Sequence, residues 1–271
     1  MSYELALIGA GNMAEAIARG LLNGQSLSPE QIIAADPAEN RRTLFTRELG
    51  IRTTAKASEA AKDALAVLLA VKPQQMDEVL HEISSVISEK TLVISIAAGI
   101  STRFIETHLG LGRQWRVVRT MPNTPMLVGQ GAVGVCSGAF ATRADVTAAS
   151  RFFSPAAEVV EVTEQLMDAV TAVSGSGPAY VFYLLEHMIA AGVSLGLSPD
   201  QATQLARQTV LGAATMATTT SDSPTELRRK VTSPNGTTQA AIEYLDQTGV
   251  GSHLEKAIQA AYQRSVELGK K

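Results

Sequence analysis

Three sets of residues in this chain have types and spacings that could do chemistry. The first is Gly9, Gly11 and Ala14 in ELALIGAGNMA, an apolar run that ends in a G-x-G-x-x-A turn and feeds an alanine-rich helical pattern. In such a turn Gly9 permits the sharp exit from a strand, Gly11 lets the backbone approach a pyrophosphate, and Ala14 lets the next helix pack closely on the sheet. A helix opening at Asn12 and Met13 would point unpaired N–H groups and the positive end of its dipole at phosphate oxygens. Glycine turns also arise for steric reasons alone, so a second signal matters. Asp36 supplies one: the apolar run IIAAD ends in a carboxylate near where the ribose hydroxyls of a dinucleotide would lie.

The second set lies at the ends of later apolar runs. One run ends in Val71, Lys72 and Pro73, and ligands of open α/β sheets collect beyond the carboxyl ends of strands. Lys72 is there either as a ligand contact or as a solvated loop lysine. Ala97, Ala98 and Gly99 are small enough for a nicotinamide ring to approach the backbone. In Met121-Pro122-Asn123-Thr124-Pro125 two prolines bracket one amide, so the loop either presents Asn123 stiffly to a ligand or is a turn punctuated by proline. The third set is LRRKVTSPNGTTQAAIEYL at 227–245. Pro234, Asn235 and Gly236 form a turn, and Thr237 and Thr238 open a helix whose free N–H groups and hydroxyls make an anion site without a metal. Capping of that helix by threonine is the alternative.

These residues need a scaffold, and the pattern predicts one. Strand-like runs at 4–8, 32–36, 65–71, 91–96, 116–120, 133–136 and 158–162 alternate with helical patterns. The expected fold is α/β, a Rossmann-type doubly wound sheet over residues 1–162. From Glu164 onward strand runs vanish, so 163–271 is expected to be an all-helical domain. Its segments 180–196 and 199–219 are apolar on both faces, which predicts burial, much of it in a subunit interface that takes up Met188 and Met216. The connecting loop Ser174-Gly175-Ser176-Gly177-Pro178-Ala179-Tyr180 places Pro178 where a first helical turn accepts it.

Composition narrows the partners. A net charge of -3, with no block of lysine or arginine, argues against nucleic acid and acidic membranes and favours a small molecule. No apolar run approaches the roughly 18 residues that span a bilayer, and no signal segment is evident, so a cytoplasmic protein is expected. The lone Cys136 sits in an apolar run and reads as a buried strand thiol. His81, His108, His187 and His253 show neither metal spacing nor a partnered nucleophile, and His187 reads as a core histidine.

Together IGAGNMA at 8–14, AVKP at 70–73, MPNTP at 121–125, SGSGPAY at 174–180 and VTSPNGTT at 231–238 resemble the pyrroline-5-carboxylate reductase family. The resemblance covers nearly the whole chain. Its most specific part is the last motif, with Leu227, Val231, Ser233, Gly236, Thr238, Ala241 and Leu245 in register. It implies reduction of 1-pyrroline-5-carboxylate to L-proline, the last step of proline synthesis, by hydride from NADPH, with NADH as an alternative. It also implies a homodimer with interlocked helical domains, and often a higher assembly of such dimers. By this resemblance Thr238 donates to the imine nitrogen, and Ser233, Gly236 and Thr237 cradle the carboxylate. Glu164 matches a substrate-proximal acid. Cofactor contacts are expected from Gly9, Gly11, Asn12, Met13, Asp36, Val71, Lys72, Pro73, Ala97 and Asn123. Two departures bear on cofactor choice: Ala57 stands where relatives often have an adenosine-binding asparagine, and Asp36 stands where many carry a 2′-phosphate-binding residue. A β-hydroxyacid-type dehydrogenase would need a helical lysine donor, and Lys230 and Lys256 sit in no such pattern. A dinucleotide-sensing regulator would need neither Thr238 nor the Ser174 loop.

Overall fold

The computed structural model of the chain describes residues 2–269. Its strands are β1 (Tyr3–Ile8), β2 (Ile32–Ala35), β3 (Arg52–Thr54), β4 (Ala64–Leu69), β5 (Leu92–Ser95), β6 (Arg116–Met121), β7 (Gly131–Ser137) and β8 (Ala157–Glu161). They form one sheet in the order β3-β2-β1-β4-β5-β6-β7-β8. The first six are parallel in register, β7 runs antiparallel to β6, and β8 is parallel to β7. The order reverses between β1 and β4, which is the switch point of a doubly wound sheet and the place where its ligands bind.

The strands read as unbroken apolar runs because helices cover both faces. Alternate residues of β1 enter opposite cores. Leu5 and Leu7 pack with Ile17, Leu21 and Phe45, while Ala6 and Ile8 pack with Val67, Leu80 and Ile83. The covering helices are α1 (Asn12–Asn23), α2 (Glu39–Leu49), α3 (Ala57–Ala61), α4 (Met76–Ile83), α5 (Thr102–Leu109) and α6 (Arg143–Ser150). Every expected run forms a strand, with ends shifted by a residue or two. The second stops at Ala35 because Asp36 turns its side chain back to the β1 exit. Strand β3 has no counterpart in the sequence reading, since three residues at a sheet edge are too short to show a period.

After β8 the chain is helical: α7 (Met167–Val170), a π-helical turn at Thr171–Gly175, α8 (Gly177–Ser194), α9 (Pro199–Thr219), α10 (Pro224–Lys230), α11 (Thr237–Gln247) and α12 (Val250–Leu268). By packing, the chain divides into a first unit that ends at Ser176 and resumes at Ala261, and a second unit, Gly177–Ala260. The division expected after residue 162 differs from this one. Met167 and Ala172 are buried, and Val170 lies so close to Gly134 that a β-carbon there would sit 2.6 Å from it, so this stretch packs on β7. In the second unit α8 has no buried residue. Phe182, Tyr183 and Leu184 are exposed, as are Met216 and His187, whose ring meets the Tyr183 edge at 4.4 Å. The burial expected for these apolar faces, and for His187 as a core residue, is not supplied within one chain.

Candidate functional site

The glycine turn sits between β1 and α1 at the switch point. Gly9 has φ +97°, and a β-carbon there would stand 2.8 Å from the Ala70 carbonyl oxygen, so only glycine fits. Gly11 is the opposite case: a β-carbon there would meet nothing within 4 Å. That open space lies at the helix N-cap, where Gly11 offers no side chain to bond the first-turn N–H groups. Met13 packs partly into the core, and Ala14 is fully buried against the sheet. The turn thus has an anion cradle that a side chain at residue 11 would fill.

Asp36 holds this turn together. Its Oδ2 accepts from the Ala10 N–H at 2.8 Å and its Oδ1 from the Ala38 N–H at 2.8 Å. Each oxygen keeps a lone pair for a ribose hydroxyl. Arg41 donates from Nε to the Ala10 carbonyl at 2.5 Å and from Nη2 to Glu15 at 2.8 Å, so it is committed to the turn. Arg42 uses Nη1 alone, on the carbonyls of Asp36 and Pro37. Beside these groups lies a cavity of about 400 Å³ lined by Gly9, Gly11, Asp36, Val71, Lys72 and Ala57 among others. Lys56 also lines it, and nothing in its sequence surroundings marks it. Pro73 follows as the first residue of a short helical turn and is exposed, as is Asn12.

Two residues expected at the cofactor, Ala97 and Asn123, are buried. Ala97 is 4% exposed and packs in the core with Ile105 and Val93, while Ala98 beside it is half-buried. Asn123 is 8% exposed, with its Oδ1 accepting from the Ala132 N–H at 2.8 Å and its Nδ2 donating to the Ser174 carbonyl at 3.0 Å. Each end of the amide makes one bond, and together they pin the proline-bracketed loop to β7 and to the π-helical turn. Gly99, with φ +75°, lies where a β-carbon would stand 3.2 Å from the Gly269 nitrogen, so the end of α12 explains that glycine.

Glu164 belongs to a half-buried charge cluster. Its Oε1 accepts from the Thr102 N–H at 2.7 Å and its Oε2 from the Thr102 hydroxyl at 2.6 Å, at the first turn of α5. Arg119, on β6 and 6% exposed, faces the same carboxylate at 3.5 Å. Burial raises the pKa of Glu106 nearby, the Ala139 N–H opposes the shift, and the charge of Glu164 adds to it. A cavity of about 260 Å³ opens beside Arg119, Glu164, Ser101 and Asp168. Cys136 is 1% exposed on β7, and burial pushes its thiol up to about 11, which suits an inert strand cysteine.

In the second unit the turn before α11 is open. Asn235 takes φ +59°, its N–H donates to Gln239 Oε1 at 2.7 Å, and the Gly236 N–H donates to the Ser233 carbonyl at 3.1 Å. The helix is capped by Gly236 with no side-chain bond, so neither threonine acts as the cap. Thr238 Oγ1 and Ser233 Oγ have no hydrogen-bond partner among the described residues, and the N–H groups of Thr237 and Thr238 belong to the unpaired first turn. A β-carbon at Gly236 would stand 2.6 Å from Ser233 Oγ, so glycine keeps that hydroxyl in place.

Two family models match separate stretches of the chain. Residues 4–99 match the family model described as NADP oxidoreductase coenzyme F420-dependent, and 164–268 match pyrroline-5-carboxylate reductase dimerisation. A pyrroline-5-carboxylate reductase of Pseudomonas aeruginosa is 44% identical over 98% of this chain and 96% of its own length. The chain belongs to the pyrroline-5-carboxylate reductase family. The structure of a family member from Coxiella burnetii superposes with a TM-score of 0.93 at 38% identity, covering all of both chains. One from Plasmodium falciparum, solved with NADP bound, has a TM-score of 0.87 at 29% identity over 98% of each chain. In this chain the glycine turn lies in the first unit and the α11 turn in the second. Sequence reading missed Thr102, Arg119 and Lys56. Only the oddity of a charged residue inside the β6 run could have drawn attention to Arg119.

Proposed function

We propose that this protein reduces 1-pyrroline-5-carboxylate to L-proline, with NADPH as the hydride source and NADH as an alternative. The observation that carries the reading is the open α11 turn: two hydroxyls without partners among the described residues and a set of first-turn N–H groups, in a family whose members are named for this reaction. The N–H groups of Thr237 and Thr238, with Ser233 Oγ and the Gly236 turn, bind the substrate carboxylate, as helix N-termini bind anions. Thr238 Oγ1 donates to the ring nitrogen, whose proton demand rises as its double bond is reduced at carbon. The bound nicotinamide supplies the hydride, leaving the protein to position, orient and exclude water.

The cradle at Gly11 and the carboxylate of Asp36 suit a dinucleotide. Asp36 favours free ribose hydroxyls, while the unengaged part of the Arg42 guanidinium and the rim residue Lys56 suit a 2′-phosphate. A relative with NADP bound adds weight to NADPH. The exposed apolar face of α8 supports a homodimer, and no helix among the described residues is long and apolar enough to cross a membrane. The reading is tested by following oxidation of NADPH and of NADH with and without 1-pyrroline-5-carboxylate. Substrate-dependent oxidation is expected, and its absence with both cofactors would overturn the assignment.

A further inference from the structure

We propose that Glu164 is a positioning residue that holds the 96–101 loop, leaving β5, where it can seat the nicotinamide end of the cofactor. This rests on the proposed binding of a dinucleotide across the carboxyl ends of β1, β4 and β5. Those ends are aligned, with Ile8 opposite Leu69 and Leu69 opposite Ser95. The cavity beside Gly11 and Asp36 occupies the β1, β2 and β4 side, so the other half of a dinucleotide extends toward β5. There the chain runs through Ala97 and Ala98 and is caught at Thr102.

The catch has three parts. Glu164 takes both polar groups of Thr102, N–H and hydroxyl, at 2.7 and 2.6 Å across 62 residues of sequence. It is a carboxylate at the N-terminal turn of α5, where the dipole favours negative charge. Arg119, nine-tenths buried in β6, stands behind it and balances a cluster that also contains Glu106 and Asp168. Each carboxylate oxygen accepts one bond from Thr102, so a single residue of the loop sets the orientation of the carboxylate. The loop is thereby fixed at its far end, while its near end is fixed by the Ala97 N–H donating to Ser95 Oγ at 3.2 Å.

The decisive measurement is a double-mutant cycle of Glu164→Gln and Thr102→Val, reading kcat, KM for pyrroline-5-carboxylate and Kd for NADPH. If Glu164 works through the loop, either change should lower kcat by on the order of 10- to 100-fold, the loss typical of misplacing reacting atoms by about 1 Å. Their combination should be no worse than the more severe single change, and KM for the substrate should hold within about twofold. Multiplicative losses, an unchanged kcat in Glu164→Gln, or a rise confined to substrate KM would overturn the proposal and return Glu164 to the substrate. Melting curves of both single variants exclude a folding defect, and Thr102→Ser, which keeps the hydroxyl, should restore kcat to within about threefold. Gly11→Val separates the underlying reading: if it leaves NADPH affinity intact, the cofactor seat is wrong, and if it abolishes affinity while the cycle is additive, only the role of Glu164 is wrong.

Discussion

Replacing Thr238 with alanine removes a hydroxyl that bonds nothing among the described residues, and this separates catalysis from stability. A threonine acting as a helix cap would cost about 1 kcal/mol on truncation. Here the cap is Gly236, and Thr238 Oγ1 has no partner among the described residues, so its loss strands no buried group. The change in stability should stay within about 0.5 kcal/mol, as for substitutions away from special features. Turnover should fall much further. The hydroxyl is assigned to a nitrogen whose proton demand grows as hydride arrives, so its bond is stronger in the transition state than in the ground state. Loss of one such oriented donor costs on the order of 100-fold in rate, or about 2.7 kcal/mol. The assay is NADPH oxidation under saturating substrate for the wild type, Thr238→Ala and Thr238→Ser, with melting temperature and NADPH affinity measured in parallel. Thr238→Ser should keep most of the activity. A Thr238→Ala enzyme with near wild-type turnover would show that the proton comes from solvent or substrate, and the catalytic role given to Thr238 would be refuted.

Gly11→Val should weaken cofactor binding by at least tenfold with little change in melting temperature, because its side chain enters space that nothing in the protein fills; equal affinity by fluorescence titration would contradict this. Asp36→Ser should shift the ratio of kcat/KM values toward NADPH, since it removes a charge facing the 2′ position. It should also lower efficiency with both cofactors, because the Ala10 or Ala38 N–H loses its acceptor; a constant ratio would mean that Asp36 does not face the ribose. Burial opposes ionisation of Asp145, yet hydrogen bonds from Arg116 and Thr142 bring its pKa below the ordinary 3.8. A lowered native pKa contributes stability above that ordinary value and loses it as pH falls through the native one. Melting temperature should therefore drop with acidification below 3.8 more steeply in the wild type than in Asp145→Asn, and parallel curves would refute the link. Sedimentation at low micromolar concentration should show a dimer, and a stable folded monomer would leave the exposed face of α8 unexplained.

What the sequence determined by itself was whatever depends on neighbours along the chain. Apolar runs of a few residues marked seven of the eight strands, because strands buried on both faces need no alternation. The Gly9, Gly11 and Ala14 spacing marked the switch-point turn, and Pro234-Asn235-Gly236 marked the start of α11, because turn chemistry is local. Roles set by partners far apart were decided only in three dimensions. Asn123 looked the same in sequence whether it met a ligand or, as it does, Ala132 and Ser174. Glu164 meets Thr102 and Arg119 only because β5, β6 and the chain after β8 converge, and no local pattern encodes that meeting. The apolar character of α8 was legible, but burial is a property of what surrounds a helix. One chain leaves that face open, because hydrophobic burial is counted over the whole assembly and not along a single sequence.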